Sequence, residues 1–291
     1  MENIIEVNGL SFKYKRGTSP ALKDMNFSIQ TGSFIGITGP AGAGKTTLLS
    51  CISGIIPHYY SGDFSGRVLV DGLDVSKSNF QQLANHVGTV FEDPDFQMVS
   101  ITVEEEVAFG PENLGIPSAE IEERIQSALQ QTRITDLRNR AISTLSGGQK
   151  QRVAISAVLS MQPNVLLLDE PTSELDPIGT HEVFSALRFL NHDLGITIIV
   201  VSQKIELLAE NCNRIFLLSD GELILNEEPR KLCLSKEILE NAGARVPEIT
   251  DFAISLCSEL NIPLSPEEIP ITIEEGKYFL QRIFQSEGVI K

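Results

Sequence analysis

One stretch of the sequence has the residue types and spacing needed to hold a triphosphate. GPAGAGKT at 39–46 follows a predicted strand and opens a predicted helix. Glycines let backbone N–H groups turn around phosphate oxygens, and a helix start favours an anion. Lys45 would reach the β- and γ-phosphates, and the Thr46 hydroxyl would hold Mg²⁺. The predicted nucleotide-contacting residues are Gly39, Pro40, Ala41, Gly42, Ala43, Gly44, Lys45, Thr46 and Thr47.

A second stretch, VLLLDE at 165–170, adds two carboxylates to this phosphate loop. Its apolar residues predict a buried strand that ends at Asp169, which is placed to bind Mg²⁺ through water. Glu170 is positioned to polarise an attacking water, so the pair predicts hydrolysis rather than nucleotide binding alone. An exposed Asp-Glu pair after a strand is common in isolation, but the phosphate loop makes the catalytic interpretation the stronger one.

A third stretch, LSGGQKQR at 145–152, forms a second glycine-rich turn that opens a helix. Its predicted contact residues are Ser146, Gly147, Gly148 and Gln149. The order of the three stretches resembles the ATP-binding-cassette ATPases over roughly residues 1–230. The resemblance implies that this signature turn closes on the γ-phosphate held by another subunit. It further implies that Asp176, in SELD at 173–176, lies at that subunit interface.

The same resemblance places Tyr14 against the adenine base of ATP. Tyr14 lies in SFKY, upstream of the phosphate loop, where the family stacks an aromatic side chain on the base. A single Tyr in a strand is more often half-buried packing, so this role rests on the resemblance.

The hydrophobic pattern predicts elements that position these stretches. Buried strands alternate with helices after residue 33, which favours a mostly parallel α/β sheet. Loosely alternating segments before it predict an N-terminal antiparallel β subdomain. Residues about 100–160 read as a helical insertion, in which Thr102 and Glu105 form a capping box. The predicted fold is therefore a phosphate-loop NTPase domain over 1–230.

A small helical module is predicted at 231–291. Apolar residues recur at helical spacing after Pro247, and Thr272 and Glu275 predict the start of a second helix. A tail docked on its own domain would show the same periodicity.

A narrower resemblance runs through residues 87–117, VGTVFEDPDFQMVSITVEEEVAFGPENLGIP. This segment resembles the ATPase subunits of energy-coupling-factor transporters, which import vitamins, cobalt or nickel. The resemblance implies a second related ATPase subunit, a transmembrane coupling subunit and a substrate-binding membrane subunit as partners, and a peripheral position on the cytoplasmic face of the cell membrane. It also implies that 231–291 serves dimerisation, and that the acids of 92–106 meet basic residues of a membrane subunit. Without the resemblance, the acids at 104–106 predict a solvated helix face.

Composition narrows the possible partners and compartments. The net charge of −16 disfavours nucleic acid as a partner, because such a surface repels phosphate backbones. No apolar run approaches the ~18 residues that span a bilayer, and the N-terminus lacks the layout of a signal peptide. The four scattered cysteines predict reduced thiols. A cytosolic chain is expected.

Two positions depart from the family pattern, and both lie at the predicted γ-phosphate. Gln203, in IIVVSQKIE at 198–206, stands where the family has a His that orients the attacking water. Glu92 replaces the Gln of the loop after the strand at 86–91, and its carboxylate adds negative charge beside the triphosphate while remaining able to ligate Mg²⁺ or water. The two changes predict a weakened site.

Two hypotheses of function remain open on these residues. In the first, the chain is an ATP-hydrolysing motor subunit of a membrane importer, which Glu170 favours. In the second, it is a nearly inactive regulatory subunit of a heterodimer whose signature turn serves the partner's site, which Gln203 and Glu92 favour. A soluble cassette ATPase that acts on DNA or ribosomes is opposed by the net charge and by the 87–117 segment.

Overall fold

The computed structural model describes residues 2–286 and contains two β-sheets with helices around them. Within this range the strands are β1 (Asn3–Tyr14), β2 (Leu22–Gln30), β3 (Phe34–Thr38), β4 (Gly62–Val70), β5 (Leu73–Asp74), β6 (Val87–Val90), β7 (Val165–Asp169), β8 (Thr197–Val201), β9 (Arg214–Ser219) and β10 (Glu222–Glu227). The helices are α1 (Lys45–Ile52), α2 (Ile55–His58), α3 (Phe80–Ala84), α4 (Val103–Asn113), α5 (Ser118–Gln131), α6 (Gly147–Leu159), α7 (Pro177–His192), α8 (Ile205–Asn211), α9 (Pro229–Leu234), α10 (Lys236–Asn241), α11 (Glu248–Leu260) and α12 (Ile273–Ser286).

The core sheet has six strands in the order β10-β9-β3-β8-β7-β6. All neighbours are parallel except the β9–β10 pair at one edge. Every residue of β3, β7 and β8 is buried, because helices or the second sheet cover both faces of these strands. The predicted α/β class with a mostly parallel sheet is confirmed. Its carboxyl edge carries the phosphate loop after β3 and the Asp-Glu pair at the end of β7.

The second sheet is antiparallel, with strands in the order β2-β1-β4-β5. Asp71 and Gly72 join β4 to β5 with φ angles of 49° and 77°. Two positive φ values in a two-residue loop are typical of a tight hairpin turn. The predicted N-terminal antiparallel subdomain is therefore present. It packs in a single hydrophobic cluster with α1 and one face of the core sheet.

The helical insertion consists of α4, α5 and α6, which pack on one another. Thr102 and Glu105 form the predicted capping box at the start of α4. The first helical segment of the predicted insertion is interrupted between α4 and α5, because Gly115 has a φ of +71° and Pro117 precedes α5. Apolar side chains of all three helices join the main core.

The C-terminal segment packs in two parts. Leu232, Leu239 and Val246 are buried in the same cluster as the core sheet and the helical insertion. A separate small cluster forms between α11 and α12 around Cys257 and Phe279. The predicted boundary at residue 230 stays a proposal, and within the described residues the independent packing begins with α11.

No helix among residues 2–286 is long and apolar enough to cross a membrane.

Candidate active site

The phosphate loop closes tightly between β3 and α1. Gly39 has a φ of +143°, and a Cβ there would lie 2.0 Å from the Leu218 carbonyl oxygen. Gly44 has a φ of +99°, and a Cβ there would lie 2.5 Å from the Ala21 carbonyl oxygen. A side chain at either position would collide with backbone, so the two glycines are required by the geometry. The loop that they form leads directly into the N-terminus of α1, where an anion is favoured.

Lys45 is the first residue of α1 and is folded over its own loop. Its Nζ donates hydrogen bonds to the carbonyl oxygens of Gly39 at 2.8 Å and Pro40 at 2.9 Å. Burial lowers the pKa of this amine, while the nearby carboxylates of Glu170 and Asp169 act in the opposite direction. The buried ammonium therefore lies between the loop and the carboxylates, where a triphosphate would meet positive charge.

Asp169, at the end of β7, is buried beside the start of α1. Burial raises the pKa of Asp169, and the Thr46 hydroxyl and the Lys45 ammonium counter the rise. A carboxylate next to a hydroxyl is the kind of oxygen donor set that Mg²⁺ prefers. These two residues therefore fit the predicted Mg²⁺ site, with Glu92 as the third predicted ligand.

Glu170 combines a strained backbone conformation with a carboxylate of which only one oxygen is hydrogen-bonded among the described residues. Its φ is +46°, and its backbone N–H donates to the Val201 carbonyl oxygen at 3.0 Å, which anchors the turn to β8. Its Oε2 accepts a hydrogen bond from the Gln203 backbone N–H at 3.3 Å. Its Oε1 is buried and has no hydrogen-bond partner among the described residues. Burial raises the pKa of Glu170, the hydrogen bond from the Gln203 N–H and the charge of Lys45 act against the rise, and the charges of Asp169 and Glu92 add to it. Such a carboxylate is suited to accept a proton.

The two positions that depart from the family pattern flank Glu170. Gln203 follows β8, its side chain is exposed, and its bond to Glu170 comes from the backbone. Glu92 is exposed on the loop after β6 and lies near enough to raise the pKa of Glu170. The structure thus brings Lys45, Asp169 and Glu170 together with these two residues at one edge of the core sheet.

The signature turn lies in the helical insertion. Ser146 caps α6, and it forms a reciprocal capping box with Gln149. Gly148 approaches the start of α7, where a Cβ would lie 3.2 Å from the Gly179 Cα. Asp176 caps α7 by accepting the Gly179 N–H at 2.7 Å. Within residues 2–286 no hydrogen bond joins the turn at 145–149 to the phosphate loop at 39–46.

Three polar contacts around the site were not predicted from the sequence. Lys150 Nζ on α6 donates to both carboxylate oxygens of Asp95 at 2.7 Å, which ties the loop after β6 to the signature helix. Gln97 binds the backbone just before Glu92, accepting from the Phe91 N–H and donating to the Thr89 carbonyl oxygen, both at 3.1 Å. Lys204 Nζ donates to the Thr172 carbonyl oxygen at 2.8 Å. These partners are far apart in sequence or lack a motif, so spacing gives no signal for them.

The acids at 92–106 are largely used within the chain. Glu104 forms an ion pair with Arg138 at 2.6 Å, and Glu105 caps α4. Glu106 is 5% exposed and accepts from the N–H groups of Val99 and Ser100 at 2.9 and 2.8 Å. The prediction of a solvated helix face is wrong for Glu106, because its carboxylate holds the preceding loop. Three apolar side chains of this stretch are strongly exposed as well: Phe96 is 90%, Ile101 76% and Val99 65% exposed.

Tyr14 is half-buried at the end of β1 and faces the phosphate-loop helix. Its hydroxyl forms a hydrogen bond with the Thr47 Oγ1 at 3.1 Å, and its ring packs edge-on against Phe12 at 4.8 Å. The ring therefore has a fixed position relative to α1, while its role towards adenine stays a prediction.

Tyr14→Ala is expected to weaken ATP binding by ~1–3 kcal/mol, the range for one base stacked on an aromatic ring. Tyr14→Phe keeps the ring and loses only the bond to Thr47, so it should bind ATP nearly as wild type does. Calorimetric titration with Mg·ATP measures both. Equal affinity of wild type and Tyr14→Ala would remove Tyr14 from the nucleotide site.

Comparison with known proteins gives consistent matches. A sequence profile described as "ABC transporter" matches residues 22–173, just over half of the chain. A protein of Pyrococcus abyssi named as an ABC transporter ATP-binding protein is 44% identical over 245 residues, 84% of this chain and 88% of that protein. The energy-coupling factor transporter ATP-binding protein EcfA of Methanothermobacter thermautotrophicus is 37% identical over 274 residues, 94% of this chain and 85% of that protein. Other relatives are longer, and the chain spans 42% of one from Methanosarcina acetivorans.

A solved structure agrees with these matches. The structure of cbiO1 from Clostridium perfringens, described as part of the ABC transporter complex cbiONQ, shares 38% identity and has a TM-score of 0.74. The match covers 83% of this chain and 94% of that one. The profile match includes the phosphate loop, the signature turn and the Asp169-Glu170 pair, but it ends before Gln203.

Proposed function

Because this chain belongs to the ABC transporter family of ATP-hydrolysing cassettes, we propose that its ATP hydrolysis powers an importer of the energy-coupling-factor type. ABC ATPases work with transmembrane subunits, and the relatives EcfA and cbiO1 support the narrower class. The chain would lie on the cytoplasmic face of the cell membrane, held by a transmembrane coupling subunit and a substrate-binding membrane subunit.

The observation that carries the hydrolytic role is the buried, unpaired Oε1 of Glu170. Buried polar atoms are nearly always hydrogen-bonded, so an exception at a predicted catalytic position indicates a group kept free for a reacting atom. The other oxygen is held by the Gln203 backbone, which fixes the orientation of the carboxylate. Glu170 would accept the proton of the attacking water.

The remaining site residues would bind and orient the nucleotide. Lys45 and the backbone of the phosphate loop would hold the triphosphate at the start of α1. Thr46 and Asp169 would hold Mg²⁺, whose charge neutralises the phosphate oxygens. Ser146 and Gly148 would reach the γ-phosphate of the partner subunit's nucleotide, since α6 starts away from this chain's own phosphate loop.

We further propose that the partner is a second, related ATPase, so that the working unit is a heterodimer steadied by the 231–291 modules. Gln203 is neutral, and Glu92 adds negative charge near Glu170. Two identical subunits would repeat this weakened arrangement at both sites. A partner that keeps the family's His would supply one fast site, which this chain's signature turn would complete. If this chain's own site does not hydrolyse ATP, the chain acts as the regulatory subunit of the heterodimer.

Membrane attachment is proposed at the exposed apolar surface of the loop before α4, which contains Phe96, Val99 and Ile101. This surface is proposed in addition to the acidic contact predicted from sequence, which stays a prediction. Asp95, Glu104 and Glu106 are bound within the chain, whereas Glu92 is exposed. The chain needs a membrane partner with an apolar segment that covers Phe96, Val99 and Ile101.

Phe96→Glu is expected to release most of the protein from isolated membranes without changing its affinity for ATP, because the change places a charge in an apolar contact. Leu194→Glu is the matched control, since Leu194 is an exposed apolar residue just before β8, at the opposite edge of the core sheet. Sedimentation of membranes from cells that express each variant measures the bound fraction. Equal sedimentation of Phe96→Glu and wild type would place the contact elsewhere.

Purification of the tagged chain from membranes, with identification of the associated chains, tests the proposed function as a whole. The expected result is a complex that contains a second cassette ATPase and two kinds of membrane protein. Purification with itself alone, or with membrane subunits of an exporter, would refute the energy-coupling-factor assignment.

A further inference from the structure

Tyr60 is held beside Tyr14 by strand pairing, although 46 residues separate them in sequence. Tyr14 and Gly62 are register partners across β1 and β4, and the Lys15 N–H donates to the Ser61 carbonyl oxygen at 3.3 Å. A Cβ on Gly62 would lie 2.7 Å from the ring of Phe12, so the start of β4 lies directly on β1. The backbone that directly follows Tyr60 is therefore held against the backbone at Tyr14.

The two rings form an open corner. Their centroids are 6.3 Å apart and their planes meet at 76°. Tyr60 is 54% exposed, whereas Tyr14 is half-buried and anchored through its hydroxyl to Thr47. Aromatic rings favour offset stacking and edge-to-face contact over a direct sandwich. A planar base in this corner can lay its face on one ring and turn its edge to the other.

The corner lies next to the predicted phosphate site. Thr47, which holds the Tyr14 hydroxyl, follows Lys45 and Thr46 on the first turn of α1. Among the described residues the Tyr60 hydroxyl has no hydrogen-bond partner, and its ring has only Tyr14 as an aromatic neighbour. The adjacent Tyr59 differs, because its ring packs on Phe80 at 5.0 Å. Of these two adjacent tyrosines, Tyr60 is therefore the one that faces Tyr14.

We propose that Tyr60 contacts the adenine base of bound ATP and, together with Tyr14, sets the preference of the site for that base. The proposal deepens the nucleotide-binding part of the proposed function and rests on it. It is independent of the importer assignment, since it concerns the binding of ATP to this chain alone.

Calorimetric titration of the full chain with Mg·ATP and with Mg·tripolyphosphate, which has no base, tests this role. Tyr60→Ala should weaken ATP binding roughly three- to tenfold, as expected for the loss of one aromatic edge or stacking contact. Its affinity for tripolyphosphate should not change, which also shows that the phosphate site is still folded. Tyr60→Phe should bind ATP nearly as wild type does, because the ring carries the contact. Tyr59→Ala is the matched control and should also bind as wild type does.

Three results would overturn the proposal. Tyr60→Ala with unchanged or tighter ATP binding would show that the ring does not meet the base. An equal loss for ATP and tripolyphosphate would show that Tyr60 supports the fold of the phosphate site instead. A loss in Tyr59→Ala as large as that in Tyr60→Ala would show a general effect on the segment before β4. If neither ligand binds to the wild-type chain, the proposed nucleotide function itself fails, and this outcome is distinct from the other three.

Discussion

Ser146→Arg in this chain is expected to remove most of the ATP turnover of the assembled transporter, whereas Glu170→Gln in the same chain is expected to cost far less. The signature turn would complete the partner's site, which keeps the efficient arrangement, so an Arg side chain at its first residue spoils the fast reaction. We expect a loss on the order of 10²-fold or more, comparable with the removal of one preorganised donor. Glu170 would serve only the slower site, where Gln203 and Glu92 already limit the rate.

Controls separate this effect from damage to α6. Ser146 caps the helix, and loss of a cap costs about 1 kcal/mol in stability. Ser146→Ala removes the same cap and the same hydroxyl without the bulk, so its thermal melting temperature should match that of Ser146→Arg, and the difference in turnover between the two variants measures the block by the Arg side chain. Ser143→Arg adds the same side chain at an exposed residue three positions earlier and should be nearly silent. Steady-state ATPase assays of the reconstituted complex measure all four variants. Equal damage from Glu170→Gln and Ser146→Arg would refute the weakened-site hypothesis.

Much of the fold follows from the sequence, because local patterns of apolar residues and turns are consistent with the way the strands assemble into a sheet. The buried strands β3, β7 and β8 are short apolar runs, and glycine-rich or acidic residues follow two of them directly. In a parallel sheet, strand ends of the same polarity meet at one edge, so motifs far apart in sequence are predicted to meet there. Lys45, Asp169 and Glu170 are brought together in this way. The cap at Thr102 is equally local and is found as predicted, and Ser146 caps the helix that its glycine-rich turn is predicted to open.

The remaining features depend on contacts that no local pattern encodes. Asp95 and Lys150 are 55 residues apart and form an ion pair only because the loop after β6 crosses the start of α6. Glu106 belongs to a run that reads as a solvated face, yet its carboxylate binds two backbone N–H groups of the preceding loop. Helical periodicity likewise does not show which core a helix joins. Leu232 and Leu239 pack into the main cluster, whereas Cys257 and Phe279 pack with each other.

Gln203→His is expected to raise the rate of ATP hydrolysis by this chain. Gln203 reaches Glu170 through its backbone N–H, at 3.3 Å, and its side chain is exposed. Replacing the side chain is therefore expected to leave the orientation of the Glu170 carboxylate intact and to change only the group predicted to face the γ-phosphate. One preorganised donor contributes on the order of 10²–10³ in rate, and the amide of Gln retains part of that contribution. We expect a gain of about tenfold or more in the chemical step, below the full contribution because Gln already supplies part of it.

Single-turnover hydrolysis by the purified chain, with the chain in excess over ATP and above its dissociation constant for ATP, isolates this step from binding and release. Gln203→Ala is the matched control, because it lacks any side-chain donor and keeps the backbone contact. The expected order of rates is His, then Gln, then Ala, with similar affinities for ATP in all three proteins. Glu170→Gln combined with Gln203→His should abolish the gain, since the donor has no effect without the carboxylate that accepts the proton. A rate for Gln203→His equal to that of wild type, together with a large fall in Gln203→Ala, would identify Gln203 as a fully competent substitute. In that case a homodimer of this chain would have two working sites, and the need for a related partner ATPase would disappear.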